Sequence, residues 1–244
     1  MTTYRNASFD RILAEDLYPL PDRWNHAMAR QFGEMDLTGV RVLDVGGGSG
    51  ALSFWCAVQG AHVTCLEPLA MGSNPDMDAT FERFNSEVET AFAVELRRQT
   101  FQEFSSIEKF NVVVMHNSIN HLDELSCENL RASAGSRSAY VSLFKRVSDL
   151  LIPGGTLIAS DCARRNLFGQ LGIRNPFSPD IEWHIHQQPK VWISILLESG
   201  FRAPQVLWNP MNRSGSLGRL LLANALGAYL TTSHFTIRIQ SSPR

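Results

Sequence analysis

Cysteine is scarce in this chain of 244 residues, and the four that occur, Cys56, Cys65, Cys127 and Cys162, include no pair at CxxC spacing. That excludes a zinc ribbon or a thioredoxin-like motif, and the cysteines in apolar surroundings read as small hydrophobes. An excess of charge of one sign is also missing, with 22 Lys and Arg against 24 Asp and Glu. Basic residues group no further than pairs such as Arg97-Arg98 and Arg164-Arg165, so the clustered positive track of a nucleic-acid binder is absent. No run reaches the ~18–20 apolar residues of a membrane span. The opening "MTTYRNASFDRIL" has no apolar signal core. The expectation is a soluble, reduced, cytoplasmic protein with neither nucleic acid nor membrane as partner. Apolar residues make up 44% of the chain, enough for one sizeable core, and a single domain over 1–244 with insertions is expected.

What the chain does have is a concentration of glycine. The stretch "VLDVGGGSGAL" places Gly46, Gly47, Gly48 and Gly50 directly behind a short apolar run. Around it the patterns alternate. "RVLDV" predicts a buried strand, "SGALSFWCAVQ" a helix stopped by Gly60, and "AHVTCLEP" a second strand closed by Pro68. "DATFERFNSEVETAF" carries Phe81, Phe84, Val88 and Ala91 at helical spacing. "VELRRQTF" and the valine run of "FNVVVMHNS" predict strands. "YVSLFKRVSDLL" is a helix, "PGG" turns the chain into the strand "TLIASD", and "KVWISILLESGF" is a helix stopped by Gly200. "PQVLW" is a strand, "LGRLLLANALGAYL" an apolar helix, and "HFTIRIQ" a half-buried strand. Strand-helix alternation of this kind predicts an α/β fold, a doubly wound and mostly parallel sheet with helices on both faces. Ligands in such sheets sit beyond the carboxyl ends of the strands.

Gly46, Gly48 and Ala51 satisfy the G-x-G-x-x-G/A dinucleotide pattern, and Glu67 stands at the end of the second strand, where a ribose-binding acid belongs. Asp44, two residues before the first glycine, weighs against a dinucleotide. A pyrophosphate would meet a carboxylate at the same helix N-terminus that attracts it. A ligand with an ammonium group and no phosphates suits the turn better.

On these residues the chain resembles the class I S-adenosylmethionine-dependent methyltransferases. "VLDVGGGSG" is similar to their first motif, an acid followed by G-x-G-x-G, with Asp44, Gly46, Gly48 and Gly50 in place. "CLEP" is similar to the second, whose acid, here Glu67, takes the ribose hydroxyls. "NVVVMHNSINHLDE", "LLIPGGTLIASD" and the closing "HFTIRIQ" resemble the fourth, fifth and seventh strands. The resemblance implies a Rossmann-like methyltransferase fold of seven strands with an antiparallel last strand, and S-adenosyl-L-methionine as cofactor. Where many members place an aspartate against the adenine, this chain has Thr100. Phe101 would then stack on the ring, with Gln102 or a backbone group supplying the hydrogen bond, and His116 and Asn117 as further cofactor neighbours. The N/D-P-P-Y/F signature of amine and amide methylation is absent, with "HNSINH" in its place.

Methyl transfer needs an aligned nucleophile and, for a hydroxyl acceptor, a base. The candidate catalytic residues are His121, His116, His184 and His186. His116 and His121 flank the end of the fourth strand; His184 and His186 lie in "WHIHQQP" and would share one face if that stretch were extended. No third ligand accompanies them, so no metal is expected. Residues 1–38 are expected to form a helical lid, with Tyr4, Arg5 and Trp24 closing it and Arg5 meeting the cofactor carboxylate. Two additions, 162–189 and 209–233, are expected to shape the acceptor pocket. The apolar helix of the second must be covered by the site, the sheet edge or another subunit, so a homodimer is one expected arrangement. The leading expectation is O-methylation of a small-molecule acceptor. Transfer of another S-adenosylmethionine-derived group, a non-catalytic cofactor-binding module and a nicotinamide enzyme stand as alternatives.

Overall fold

A computed structural model describes residues 4–68, 76–179, 181–209 and 221–242. Seven strands form one sheet, and the backbone divides into two compact units, Met1–His116 and Asn117–Arg244.

The first unit begins with helix α1 (Ala7–Ile12), whose Asn6 side chain accepts from the Phe9 N–H, an N-cap that answers one of the four free donors of a helix start. Five residues of π-helix (Leu13–Leu17) follow, and Pro21 opens α2 (Pro21–Phe32) at the position where its missing N–H costs nothing. Strand β1 (Arg41–Val45) is buried at all but its first residue. It pairs in parallel with β2 (His62–Leu66) and β4 (Phe110–His116), and β2 pairs in parallel with the short β3 (Glu95–Arg97). Helix α3 (Ala51–Val58) is buried along all but its last residue, as a helix without a polar face must be. Helix α4 (Asp76–Glu87) presents Phe81 and Phe84 to Phe54 of α3, with ring centroids 5.2 and 5.3 Å apart, and Phe9 of α1 stacks on Phe84 at 5.3 Å. Burying rings of this size contributes roughly 1.5–3 kcal/mol each, and this cluster joins α1 to α3 and α4. The helical pattern expected through Ala91 ends at Glu87, and Ala91 is exposed.

In the second unit the sheet turns antiparallel. Strand β5 (Leu151–Cys162) pairs with β7 (His234–Ser241), which in turn pairs with β6 (Phe201–Trp208), both antiparallel. The whole order is β3-β2-β1-β4-β5-β7-β6, the doubly wound arrangement with one reversed strand. Strand β5 starts at Leu151, five residues before "TLIASD", and its ladder to β7 begins at Thr156. A short helix not evident in the sequence pattern, α5 (Glu124–Asn129), is capped by Asp123. Helix α6 (Ala134–Leu150) starts on a Ser133 cap and meets α8 (Pro189–Glu198) through Tyr140, Phe144 and Trp192. The Tyr140 hydroxyl lies 3.1 Å from the carbonyls of Ile119 and Asn120 and so anchors the loop after β4. Helix α7 spans Leu167–Gln170.

The apolar helix expected over 217–230 is not continuous. Its first residues lie outside the described ones; within 221–229 the chain breaks at Asn224, whose side chain caps a new helix, α9 (Ala225–Tyr229). The cap wins because asparagine bonds nearby backbone donors more readily than it sits inside a helix. Leu221 and Leu226 are exposed rather than covered. Among the described residues no helix is long and apolar enough to cross a membrane.

Candidate active site

The glycine turn links β1 to α3. Gly46, Gly48 and Gly50 adopt left-handed φ of 73, 56 and 80°, a region that side-chain-bearing residues occupy only with strain. The Gly46 and Gly47 N–H groups both donate to the Leu66 carbonyl at the end of β2, at 2.8 and 3.0 Å. The Gly48 N–H donates to Glu67 Oε2 at 2.8 Å. Glu67 is therefore tied to the glycine loop as well as standing at the strand end, and its own N–H reaches the Arg97 carbonyl of β3.

Asp44 lies beneath this loop, 1% exposed. Ser53 of α3 donates to its Oδ2 at 2.7 Å, while Oδ1 has no hydrogen-bond partner among the described residues. Burial pushes the carboxyl pKa up to about 6; the Ser53 hydrogen bond opposes that and the Glu67 charge adds to it. An ionised carboxylate short of partners, buried under a loop with little room for side chains, fits a ligand that brings positive charge. It does not suit a diphosphate.

The sequence singled out three glycines; the structure adds a fourth. A Cβ on Gly47 would lie 2.3 Å from the Cys65 sulfur and 3.0 Å from Asp44 Oδ2, whereas one on Gly48 would meet nothing closer than the Met77 sulfur at 3.7 Å. Gly47→Ala should therefore cost about 1–3 kcal/mol of stability through overpacking, lowering the melting temperature and, with the loop displaced, the cofactor affinity. Adding Cys65→Ala should restore most of each. Equal losses in the single and double variants would show that the sulfur is not the obstacle.

Thr100, Phe101 and Gln102 follow β3. The Thr100 hydroxyl donates to Glu103 Oε2 at 2.7 Å and its N–H to the same oxygen at 2.9 Å. Thr100 is thus built into a turn. Phe101 is buried and Gln102 exposed. His116 ends β4 half-buried, with Nδ1 3.3 Å from Gln31 Oε1. In the N-terminal segment Arg5 is held by Asp10 at 2.5 Å and Asp22 at 2.7 Å, so its charge is answered within that segment. Trp24 is buried against Phe9 and Tyr18, and Tyr4 is exposed with its backbone bonded to Gln59.

The second unit gathers the remaining candidates. Asn117, His121 and His186 bound a pocket of about 230 Å³ together with Cys162, His234, Glu182, Ile181 and Ile185. Asn117 takes a left-handed φ of 55°, and its N–H donates to the Ser160 carbonyl at 2.8 Å. His121 is exposed, with Nδ1 2.6 Å from Glu124 Oε1. His184 and His186 do not share a face. Trp183–Ile185 is a 3-10 turn, which leaves His184 exposed and His186 buried. Two bonds to α5 hold that segment: Cys127 Sγ donates to the Ile185 carbonyl at 3.0 Å, and Gln187 Nε2 to the Cys127 carbonyl at 2.6 Å.

His186 Nδ1 lies 2.8 Å from Oδ1 of Asp161, which is fully buried near the end of β5. The same oxygen accepts the Cys162 N–H at 2.7 Å. A carboxylate accepts, so Nδ1 carries a hydrogen. Antiparallel register sets His234 opposite Cys162, with Nε2 3.1 Å from Sγ. Burial lowers the His234 pKa and raises that of the Cys162 thiol, so both groups are neutral. Asp161 and His234 are the members that sequence reading missed. Asp161 closes "TLIASD" and carried the one available signal, an acid at a strand's carboxyl end. Among the described residues no cluster of three His, Cys, Asp or Glu side chains could hold a metal.

A family profile described as "Methyltransferase domain" matches residues 16–205. No curated protein matches the chain in sequence. Solved structures share its fold at low identity. An S-adenosylmethionine dependent methyltransferase from Mesorhizobium loti is 16% identical with a TM-score of 0.57, over 91% of this chain and 96% of that one. A magnesium protoporphyrin IX methyltransferase from Synechocystis PCC 6803, solved with S-adenosylmethionine bound, is 14% identical with a TM-score of 0.54, over 96% of this chain and 90% of that one. An N-methyltransferase from Bradyrhizobium japonicum WM9 is 13% identical with a TM-score of 0.54, over 94% and 99%. The chain belongs to the methyltransferase-domain family, within the class I enzymes that use S-adenosylmethionine.

Proposed function

We propose that this methyltransferase acts on a hydroxyl group of a small-molecule acceptor and that His186 is its base. The observation that carries this reading is the buried Asp161–His186 pair at the wall of a pocket. A carboxylate on Nδ1 fixes ring orientation and tautomer, leaving Nε2 to take a proton from a hydroxyl. Bound S-adenosylmethionine supplies an electrophilic methyl group on a sulfonium. Gly46, Gly47, Gly48 and Gly50 would admit its close approach, Asp44 would answer its positive charge from below the loop, and Glu67 would meet the ribose. Residues 100–102 and 116–117 are the proposed neighbours of its adenosine. His121, held by Glu124 at the same pocket, is the proposed contact for the acceptor's polar edge, and His184 is left without a part. The absence of a basic track supports a small molecule rather than a nucleic acid.

Incubation with methyl-labelled cofactor and a metabolite extract, followed by mass analysis of the labelled product, tests the reading. It expects a product one methylene heavier than its precursor, with the label on an ether or ester oxygen. Label on nitrogen or carbon would displace the oxygen assignment, and a product enlarged by the aminocarboxypropyl group would displace methyl transfer.

A further inference from the structure

A second, larger cavity opens beside the histidine pocket within the same unit. It measures about 610 Å³, the size of a site for a small organic ligand. Among the described residues it is lined by Ala163, Arg165, Gln188, Pro189, Lys190, Ile193, Val206, Trp208, Ala225, Leu226 and Tyr229. The two sites have no lining residue in common, but neighbouring stretches of chain line both: Ala163 follows Cys162, and Gln188 lies two residues beyond His186. Val206 and Trp208 close β6.

Three observations describe what this cavity would hold. Its walls are mostly apolar, and Leu226 is left 65% exposed at its edge. Its charged side chains are both cationic, Arg165 and Lys190, and no acidic side chain lines it among the described residues. Arg165 sits 5.7 Å from the centroid of the Tyr229 ring and makes no ion pair among the described residues. The N-terminus of α8 at Pro189 and Lys190 faces the same space, adding the positive end of a ten-residue helix. The cavity is also anchored. Buried Asn166 donates to the carbonyls of Thr231 and Tyr229, and buried Asn175 to Thr231, joining the segment after β5 to the segment before β7.

We infer that this cavity binds the body of the acceptor, and that the acceptor is an apolar carboxylate whose acid group meets Arg165 and Lys190. The inference rests on the proposed O-methylation only in naming the ligand as the acceptor; the binding itself is independent of turnover. The apolar walls would take a ring or short chain, and the cations would select the acid.

The test uses the full-length protein without methyl donor, titrated calorimetrically with 1-naphthylacetate and with its neutral counterpart 1-naphthylacetamide. The carboxylate is expected to bind at least about tenfold more tightly, the range for one charge-assisted contact. In the double variant Arg165→Gln/Lys190→Gln, both exposed positions, that preference is expected to shrink to within about twofold while amide binding and the melting curve stay unchanged. Equal binding of the two probes, or a preference that survives in the double variant, would overturn the inference and leave the methyl-transfer reading untouched. Selective binding without any labelled product would retire the acceptor reading alone, because the cavity would still be a carboxylate site.

Discussion

Asp44→Asn should weaken cofactor binding about tenfold to a hundredfold, and it should also change how stability depends on pH. The first effect follows from removing the charge that answers a cationic ligand, since a contact to a charged group contributes about 1.5–3 kcal/mol. The second follows from burial. The folded Asp44 has a pKa of about 6 against an ordinary 3.8. A raised carboxyl pKa means that the native state holds its proton longer than the unfolded chain does. The penalty is absent below the ordinary pKa, grows as pH rises from about 4 to 6, and is complete above 6. At 1.36 kcal/mol per unit it amounts to ~3 kcal/mol. Asparagine cannot ionise and escapes it. The melting temperature of the variant minus that of the parent, without cofactor, should therefore rise by roughly 5–10 °C between pH 4 and pH 8. A difference that stays flat across that range would show that Asp44 is not strained by its charge.

The second large effect is catalytic. With a hydroxyl acceptor, His186→Ala should lower kcat by about 10²–10⁴-fold, the range for loss of a positioned base, and leave cofactor affinity unchanged. Asp161→Asn should lower kcat within the same range, because the imidazole remains but its tautomer is no longer fixed. A purely structural role for the pair would depress all acceptors alike. The proposed role has a different signature: acceptors with a more acidic hydroxyl lose less rate in His186→Ala, since they need less help in giving up the proton. Uniform loss across acceptors of graded acidity, or full activity in His186→Ala, would remove His186 from the chemistry. The same assays with His121→Ala should show the larger change in KM.

The strands and the glycine turn were legible for one reason: their signals are local. "RVLDV" is a strand because it is buried on both faces between β2 and β4, and such strands read as apolar runs. The glycines announce a turn because three of them hold positive φ. Signals set by tertiary partners were not legible. Gly47 looked like a spare glycine until Cys65, eighteen positions on, closed over it. His184 and His186 suggested a shared face because two-residue spacing is informative only in extended chain, and the 3-10 turn at Trp183–Ile185 removed that condition. Asp161 read as the polar end of a strand, and its partner is a loop histidine 25 residues later. The break at Asn224 was visible as a residue type, yet the apolar run around it outweighed one polar position in the periodicity. Arg165 and Lys190 stand apart in the sequence, and only the folding of α8 against β6 and β7 brings both to one cavity.

The central claim is that a carboxylate beneath the glycine loop makes the turn a seat for a cationic amino-acid nucleoside. Calorimetric titration of the purified protein with S-adenosylmethionine and, separately, with NAD at pH 7.5 tests it most directly. The account predicts saturable one-to-one heat with S-adenosylmethionine, weakened on acidification below about pH 6 as Asp44 takes up its proton, and no heat with NAD. Saturable NAD binding with none for S-adenosylmethionine would contradict it.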